Sequence, residues 1–398
     1  MERIILHVDV NNAFLSWSAV WMLRNGYSKD IRNRYAVIAG DESQRRGIVL
    51  AKSNLCKKKG VKTAEAIYLA RKKCPYLEIY PPRYDIYKKF SDAMYKYLCS
   101  YTNVIERYSI DECFLDYTGS VKLFGDPVKI AYKIKDDIYN KFGFTVNVGV
   151  GNNKLLAKMA SDFEKPNKVH TLFSDEVESK MFPLPIEDLF MIGRASSKKL
   201  REMGINTIGD LAKTPIQELT KRFKSMGNMM HEYANGIDNS EVVFEREQAK
   251  SISNSTVLPY NYRDINMIKG VIFDLSKEIG KKLRDNKLYA ETIGIWFKYT
   301  YFDKISKQIK LENSIATDEE IANKAFDIFK NLWNNDDGIR SICVFVSGLS
   351  NERKRQLSLF DNNMEEENDD KLQEIIDSIR NKFGDKVIGF ANDKSDSK

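Results

Sequence analysis

Three carboxylates stand where they could act together. Asp9 ends the apolar run of residues 4–10, and the pair Asp111 and Glu112 interrupts the mainly apolar stretch of residues 108–114. Burying an unpaired carboxylate is costly, so each acid requires a cation, hydrogen bonds or an exposed strand end. Carboxylate oxygens suit Mg²⁺, and two such ions about 3.5–4 Å apart can activate a 3′-hydroxyl and neutralise a leaving pyrophosphate. The acids could therefore support nucleotidyl transfer.

The local geometry of the acidic pair leaves two interpretations open. Successive residues of a strand point to opposite faces, so joint metal binding by Asp111 and Glu112 requires a turn between them and the preceding strand. Alternatively, both are ordinary turn acids, and Asp9 caps the helix expected to begin near Asn12. Taken singly, the acids favour the second interpretation, and only their combination with other motifs reverses it.

The composition is that of a large globular protein. At roughly 150 residues per domain, 398 residues predict two to three domains. Hydrophobic residues make up 42% and charged residues 30%, and no apolar run approaches the ~18 residues of a membrane span. His7 and Asp9 interrupt the first apolar stretch, which argues against a signal peptide. We therefore predict a cytoplasmic protein without a membrane partner. Five cysteines without a Cys-x-x-Cys pair disfavour a zinc site or a disulfide framework.

The positive charge lies in the body of the chain. The formal net charge is +7, but the last 49 residues hold nine basic and twelve acidic residues, which leaves residues 1–349 at +10. A basic body suits a polyanion such as nucleic acid.

Periodicity predicts a strand followed by a helix over residues 4–24, mixed helices and strands to residue 150, and only helices over residues 183–238. Residues 248–349 predict the order strand, helix, two strands, helix, strand.

The motifs resemble those of the Y-family, or translesion, DNA polymerases. His-Val-Asp-Val-Asn-Asn-Ala-Phe at residues 7–14, Tyr-Ser-Ile-Asp-Glu at residues 108–112 and the stretch of residues 148–167 occur in the family's order. The resemblance implies an α+β multidomain, right-hand polymerase. Its parts would be a palm (1–11 and 80–172), small fingers (12–79), a helical thumb with a helix-hairpin-helix (173–238), a βαββαβ-like little finger (243–349) and a flexible tail (350–398).

The resemblance also assigns the chemistry. Asp9, Asp111 and Glu112 would be catalytic, and together with the Val10 carbonyl they would hold two Mg²⁺ ions. Phe14 would be the steric gate that excludes a 2′-hydroxyl, although its spacing alone fits an ordinary core aromatic.

Further groups of residues would bind the substrates and partners. The triphosphate would be bound by Asn12, Ala13, Asn54, Lys57 and Lys165. Asn54 departs from the family's usual tyrosine. For Lys58 and Lys59, a solvated basic helix face is as good an interpretation as phosphate binding. The DNA phosphates would be bound at the helix-hairpin-helix by Ile192, Gly193, Arg194, Ala195 and Lys198, where Met191 replaces the usual first glycine; a structural helix turn is the alternative. The bacterial sliding clamp would be bound by the peptide of residues 356–360, through Gln356, Leu357, Leu359 and Phe360.

The expected activity is template-directed addition of deoxynucleotides to a primer 3′ end, in DNA damage bypass and repair. The expected partners are primed template DNA, deoxynucleoside triphosphates and the clamp, with the protein itself a monomer. A catalytically inert DNA-binding accessory protein of the same fold is the main alternative. A nucleotide cyclase also uses paired carboxylates, but it needs neither a thumb nor a clamp peptide. The motifs do not settle whether the chain is nearer the polymerase IV branch or the UmuC-like branch. Asp9-Val10-Asn11 and the extended tail favour UmuC-like Gram-positive relatives.

Overall fold

The computed structural model describes residues 2–43, 45, 47–244, 248–334, 337–354, 375–379, 382–384 and 387. The chain divides into two compact units, Met1–Asp41 with Gly47–Arg246 and Glu42–Arg46 with Glu247–Lys398. The predicted clamp peptide, residues 356–360, lies outside the described residues. Within the described ranges, no helix combines the length and the apolar character that a bilayer span requires.

The first unit contains two sheets. Their strands are β1 (Ile5–Val10), β2 (Ala36–Ala39), β3 (Val49–Lys52), β4 (Glu78–Tyr80), β5 (Ile105–Arg107), β6 (Glu112–Asp116), β7 (Val146–Gly151) and β8 (Val169–Leu172). The larger sheet has the order β5-β6-β1-β7-β8, and the smaller has the order β3-β2-β4. Neighbours are antiparallel except for β7–β8 and β2–β4. The prediction of mixed helices and antiparallel-type strands is therefore confirmed for most pairs.

Eleven α-helices of the first unit fall within the described residues. They are α1 (Ala13–Arg24), α2 (Asn54–Lys58), α3 (Ile67–Lys73), α4 (Tyr84–Leu98), α5 (Val121–Phe124), α6 (Pro127–Phe142), α7 (Lys154–Asp162), α8 (Arg194–Glu202), α9 (Ile208–Lys213), α10 (Ile216–Phe223) and α11 (Ser225–Ala234). Short 3₁₀ and π turns occupy Ile31–Asn33, Thr118–Ser120, Ser174–Glu176, Val177–Met181 and Ile186–Asp188. The all-helical prediction for residues 183–238 agrees with α8 to α11.

Strand β1 runs through the middle of the larger sheet and is buried on both faces. Leu6, Val8 and Val10 belong to the large core that also contains residues of α1, α4 and α6. Ile5 faces the other side, where it packs with Ala157 of α7. Since side chains alternate along a strand, Asp9 points to the same side as Ile5, towards α7.

Helix α7 lies directly against β7 because Gly149 has no side chain. A Cβ atom at Gly149 would lie 1.9 Å from the backbone oxygen of Ala157. This close approach places the buried face of α7 over the end of β1 that carries Asp9. A glycine at this position is alone only a weak sign of a phosphate-binding loop. In the structure, Gly149 allows α7 to pack closely on β7.

The second unit is a four-stranded antiparallel sheet with two helices. Its elements are β9 (Ser251–Tyr262), α12 (Ile265–Asp285), β10 (Tyr289–Tyr299), β11 (Lys304–Ile315), α13 (Asp318–Leu332) and β12 (Ile339–Ser350). The strand order is β11-β10-β12-β9. Alternate residues of β10, such as Ile293, Ile295 and Phe297, are buried with residues of both helices. The predicted βαββαβ order is thus present.

The helix expected to begin near Asn12 begins at Ala13. Asn12 precedes it in the left-handed conformation with φ 51°, and its side chain makes no capping bond. Asp9 lies within β1 and does not cap this helix. The structure therefore removes one of the two interpretations of Asp9, namely that it is a helix cap.

Candidate active site

The acidic residues of two predicted motifs lie at the same end of the paired strands β1 and β6 in the larger sheet. Asp9 stands directly opposite Glu112 in the antiparallel pairing of β1 and β6. Directly opposed residues in such a pair present their side chains on the same face. Asp111 immediately precedes β6, and its backbone oxygen accepts a hydrogen bond from Val10 N at 3.1 Å. Pairing of the two strands thus brings all three acids and Val10 together.

A turn lies immediately before Glu112, as joint action of the acidic pair requires. The backbone N–H groups of Tyr108 and Ser109 both donate to the Glu112 carbonyl oxygen, at 3.0 and 3.2 Å. The Ser109 hydroxyl donates to Asp111 Oδ1 at 2.7 Å. Asp111 is therefore part of a turn rather than of a regular strand. The rule that successive strand residues point to opposite faces does not separate it from Glu112.

Two lysines pair with two of the acids, the buried Asp9 and the half-buried Glu112. Lys165 Nζ forms an ion pair with Asp9 Oδ2 and lies 2.7 Å from Asp162 Oδ1. Burial would lower the pKa of Lys165, but the charges of Asp9 and Asp162 outweigh it and raise that pKa. Lys158 Nζ lies 3.1 Å from Glu112 Oε1. Each acid thus faces a cation, and at Asp9 burial raises the pKa in spite of the opposing charge of Lys165.

Lys158 and His7 are site residues to which sequence reasoning assigned no role. Burial would raise the pKa of Glu112, but the neighbouring His7 ring and the charge of Lys158 lower it to about 2. His7 Nδ1 lies 2.8 Å from Ser161 Oγ, and the Ser161 hydroxyl donates to the Lys158 carbonyl oxygen at 2.7 Å. The sequence feature that could have drawn attention to Lys158 is its position as a lone lysine in the apolar segment of residues 155–160.

A network of asparagines fixes the loop that carries Lys165. Asn147 on β7 donates to the backbone oxygens of Ser161 and Glu164 at 2.8 and 2.7 Å. Asn11, just after β1, donates to Asn147 Oδ1 at 3.0 Å and accepts from Asn167 N at 2.8 Å. Buried amides with several partners hold a loop in a single arrangement. The segment after α7 is consequently fixed beside Asp9.

The donor set suits a hard divalent cation. Asp9, Asp111, Glu112 and the Val10 carbonyl offer only oxygen, which Mg²⁺ prefers over nitrogen and sulfur ligands. In the described part of the chain, however, no three His, Cys, Asp or Glu side chains are grouped closely enough to hold a metal ion. Asp9 and Glu112 are instead turned towards their lysines. The metal-binding roles of these residues remain a prediction.

Phe14 is held between aromatic rings near the start of α1. Its ring stacks on Tyr87 with centroids 4.6 Å apart and meets the edge of Tyr84 at 5.9 Å. Phe14 is half-buried, in contrast to the fully buried Trp17 one turn further along α1. A ring that is supported from behind and partly exposed in front can act as a wall of a substrate site.

Apart from Lys165, the predicted triphosphate residues lie at the start of α1 and on α2. Ala13 begins α1, and the Asn12 side chain donates to the Lys52 carbonyl oxygen at 2.7 Å, which joins α1 to β3. Asn54 and Lys57 are exposed on α2. Burial and the nearby charge of Lys57 lower the pKa of Lys52. Lys52, to which the sequence analysis assigned no role, therefore lies close to Lys57.

The predicted helix-hairpin-helix ends in a helix N-terminus. Ile192 N bonds the Leu189 oxygen at 3.0 Å, and Gly193 is the extended N-cap of α8. The first amides of a helix have no partner within that helix and can bind phosphate oxygens. Arg194 and Ala195 begin this turn, and Lys198 follows on α8. The geometry is compatible with phosphate binding, which remains a prediction.

Met191 occupies a backbone position that favours glycine. Its φ is 71° and its side chain is 52% exposed. We expect Met191→Val to be less stable than Met191→Gly by about 1 kcal/mol or more, because a β-branched residue tolerates positive φ poorly. Thermal or urea unfolding of the two variants measures the difference. Equal stability of the two would contradict a left-handed residue at this turn.

Three family descriptions match the chain. The impB/mucB/samB family matches residues 8–162 and the impB/mucB/samB family C-terminal domain matches residues 249–359. Between them, the DNA polymerase-iota thumb domain matches residues 187–238. The matches thus cover the acidic motifs, the helical segment and the second unit.

Curated relatives match over almost the full length. A DNA polymerase IV of Clostridium acetobutylicum is 45% identical, over 98% of this chain and 97% of its own. The DNA polymerase IV 2 of Bacillus subtilis is 33% identical, over 97% and 93%. Among solved structures, a Y-family DNA polymerase chimera of Dbh and Dpo4 is 26% identical with a TM-score of 0.76, over 87% of this chain and 99% of its own. An insertion ternary complex of Dbh DNA polymerase has a TM-score of 0.59.

Proposed function

Since the chain belongs to the Y family of DNA polymerases, we propose that its nucleotidyl transfer takes place at Asp9, Asp111 and Glu112. Membership confirms the predicted family, the α+β polymerase fold and a DNA-directed DNA polymerase, and it favours this activity over the inert accessory protein. The division into palm, fingers, thumb and little finger at the stated boundaries, and the monomeric state, remain predictions.

The observation that carries the proposal is the convergence of the acids. Asp9 opposes Glu112 across β1 and β6, and the turn at Ser109 brings Asp111 to the same end of these strands. We propose that these three carboxylates and the Val10 carbonyl hold two Mg²⁺ ions, which when bound would acidify the primer hydroxyl and neutralise the leaving pyrophosphate. The acids supply negative charge at fixed positions, so no side chain has to act as a strong base.

The residues around the acids would position the nucleotide. Lys165 stands beside Asp9 on a loop fixed by Asn147, where its ammonium could bind a phosphate oxygen. Lys57 and Asn54 on α2, with Asn12 and Ala13 at the start of α1, would bind the rest of the triphosphate. Phe14, supported by Tyr84 and Tyr87, would then lie under the sugar.

The thumb would hold the duplex. The Ile192 amide is bonded to the Leu189 carbonyl oxygen and shapes the turn before α8. The amides of Gly193, Arg194 and Ala195 and the charge of Lys198 offer contacts to phosphate that do not depend on base sequence. Such contacts fix the position of the primer end and leave sequence selection to base pairing. This is the arrangement that a template-directed enzyme requires.

Primer extension tests the proposed function. The protein should extend a primer on an undamaged template with Mg²⁺ and deoxynucleotides, and changing the template base should change the nucleotide incorporated. Binding of the primed template without extension, with or without sliding clamp, would support the inert accessory protein instead. A gel assay with fluorescent primer and a parallel binding titration separate the two outcomes.

We also propose that residues 356–360 bind the bacterial sliding clamp through an extended apolar anchor. Replacing Leu359 and Phe360 together by alanine should weaken clamp binding at least tenfold, because buried apolar anchors dominate small interfaces. Extension without clamp should be unchanged. Fluorescence anisotropy with purified clamp checks the first result, and equal affinity of variant and wild type would rule out this anchor.

A further inference from the structure

Lys165 occupies the accessible side of Asp9. The Asp9 side chain is only 8% exposed, whereas the Lys165 side chain that pairs with it is 38% exposed. Lys165 also contacts Asp162 Oδ1 at 2.7 Å. The ammonium therefore lies between the buried carboxylate and solvent, bound by two acids at once.

The second lysine of the site is enclosed. The Lys158 side chain is 11% exposed, and its Nζ lies 5.8 and 5.4 Å from the ring centres of Tyr108 and Phe190. Lys158 belongs to the middle of α7, while Lys165 lies in the loop beyond the end of that helix at Asp162. Separating Lys158 from Glu112 would leave a buried charge unpaired, which is costly. Lys165, whose side chain is 38% exposed, can move to solvent or another anion when a second cation takes its place at Asp9.

We propose that Lys165 is an exchangeable counter-ion, which competes with a divalent cation for Asp9 and is released from it by the triphosphate. This inference rests on the proposed function of Asp9 and Lys165. An ammonium and a divalent cation cannot share the Oδ2 position, and their like charges repel at short range. A triphosphate offers Lys165 a stronger anionic partner, so nucleotide and metal binding favour each other reciprocally. Lys165 would thus delay metal binding at Asp9 until a nucleotide is present.

The test measures Mn²⁺ binding by the full chain on primed template DNA, without nucleotide, from the electron paramagnetic resonance signal of free Mn²⁺. Lys165→Met should bind Mn²⁺ at least fivefold more tightly than wild type, because the competing cation is gone. Lys168→Met is the matched control: Lys168 lies 3.4 Å from Glu164 and is half exposed, and its loss should leave the affinity unchanged. Asp9→Asn in the Lys165→Met background should abolish the gain.

Equal or weaker Mn²⁺ binding by Lys165→Met would overturn the proposal. A second readout needs no substitution: Mn²⁺ should increase the rate at which Lys165, but not Lys158, is acetylated, as measured by mass spectrometry. An unchanged Lys165 rate would also overturn it. Primer extension by the same wild-type preparation is recorded in parallel. Absent extension rejects the proposed function, whereas normal extension with unchanged Mn²⁺ affinity rejects only the exchange.

Discussion

Replacing Asp111 or Glu112 by alanine should slow single-turnover nucleotide insertion about a thousandfold. A loss of this size corresponds to roughly 4 kcal/mol of transition-state stabilisation, and fixed charges or metal ligands at a reacting centre contribute amounts of that order. Binding of primed template should change little, because the proposed thumb contacts are backbone amides of other elements. Rapid-quench insertion assays and DNA titrations on the same preparations measure both quantities.

The controls separate chemistry from stability. Glu112→Ala leaves Lys158 without its partner, and an uncompensated buried charge costs about 3–5 kcal/mol of folding stability. Glu112→Gln keeps the shape of the side chain and is therefore assayed beside it, with thermal unfolding of each. Glu164→Ala removes an acid that is 62% exposed and bound to Lys168, and it should retain wild-type insertion. Insertion within tenfold of wild type in a folded Asp111→Ala protein would contradict the assignment.

Replacing Phe14 by alanine should reduce discrimination against ribonucleotides about a hundredfold. The ring is backed by Tyr87 at 4.6 Å and cannot retreat without disturbing it. Forcing an additional group into a packed site costs about 1–3 kcal/mol, which is roughly a ten- to two-hundredfold preference for the 2′-deoxy sugar. Single-nucleotide insertion with matched deoxy and ribo substrates gives the ratio directly.

The comparison variant is Phe14→Leu, which keeps an apolar side chain of intermediate size against Tyr84 and Tyr87. It should retain insertion of deoxynucleotides and lose only part of the discrimination. Unchanged ribonucleotide exclusion in an active Phe14→Ala protein would mean that Phe14 is only a packing residue, the alternative that its helical spacing left open.

The acids could be found from the sequence, but their arrangement could not. Motif resemblance identified Asp9, Asp111 and Glu112, yet periodicity alone placed Asp111 and Glu112 on opposite faces. Their convergence depends on which strands pair and in which register, and the Asp9–Glu112 pairing is a long-range contact. Lys158 illustrates the same limit, because a lysine among apolar helix residues fits a surface position until the helix is packed on its strand.

The order of the helices and strands could be predicted from the sequence more readily than the residues at which they begin and end. The order of strands and helices in the second unit was predicted, since each element carries its own periodic pattern. β9 extends to Tyr262 because pairing with β12, interrupted by a register shift, continues there. The left-handed conformation of Met191 was not foreseeable from its own residue type, because methionine rarely adopts it, and only the family's usual glycine at that position pointed to it.

The most direct test of the account is a crystal structure of the protein with primed template, a non-hydrolysable incoming nucleotide and Mn²⁺. We predict two anomalous scattering peaks about 3.5–4 Å apart, bound by Asp9, Asp111, Glu112 and the Val10 carbonyl. Lys165 should then contact the triphosphate, and Phe14 should lie under the sugar. Well-ordered nucleotide with both Mn²⁺ peaks bound to other residues of the chain would contradict it.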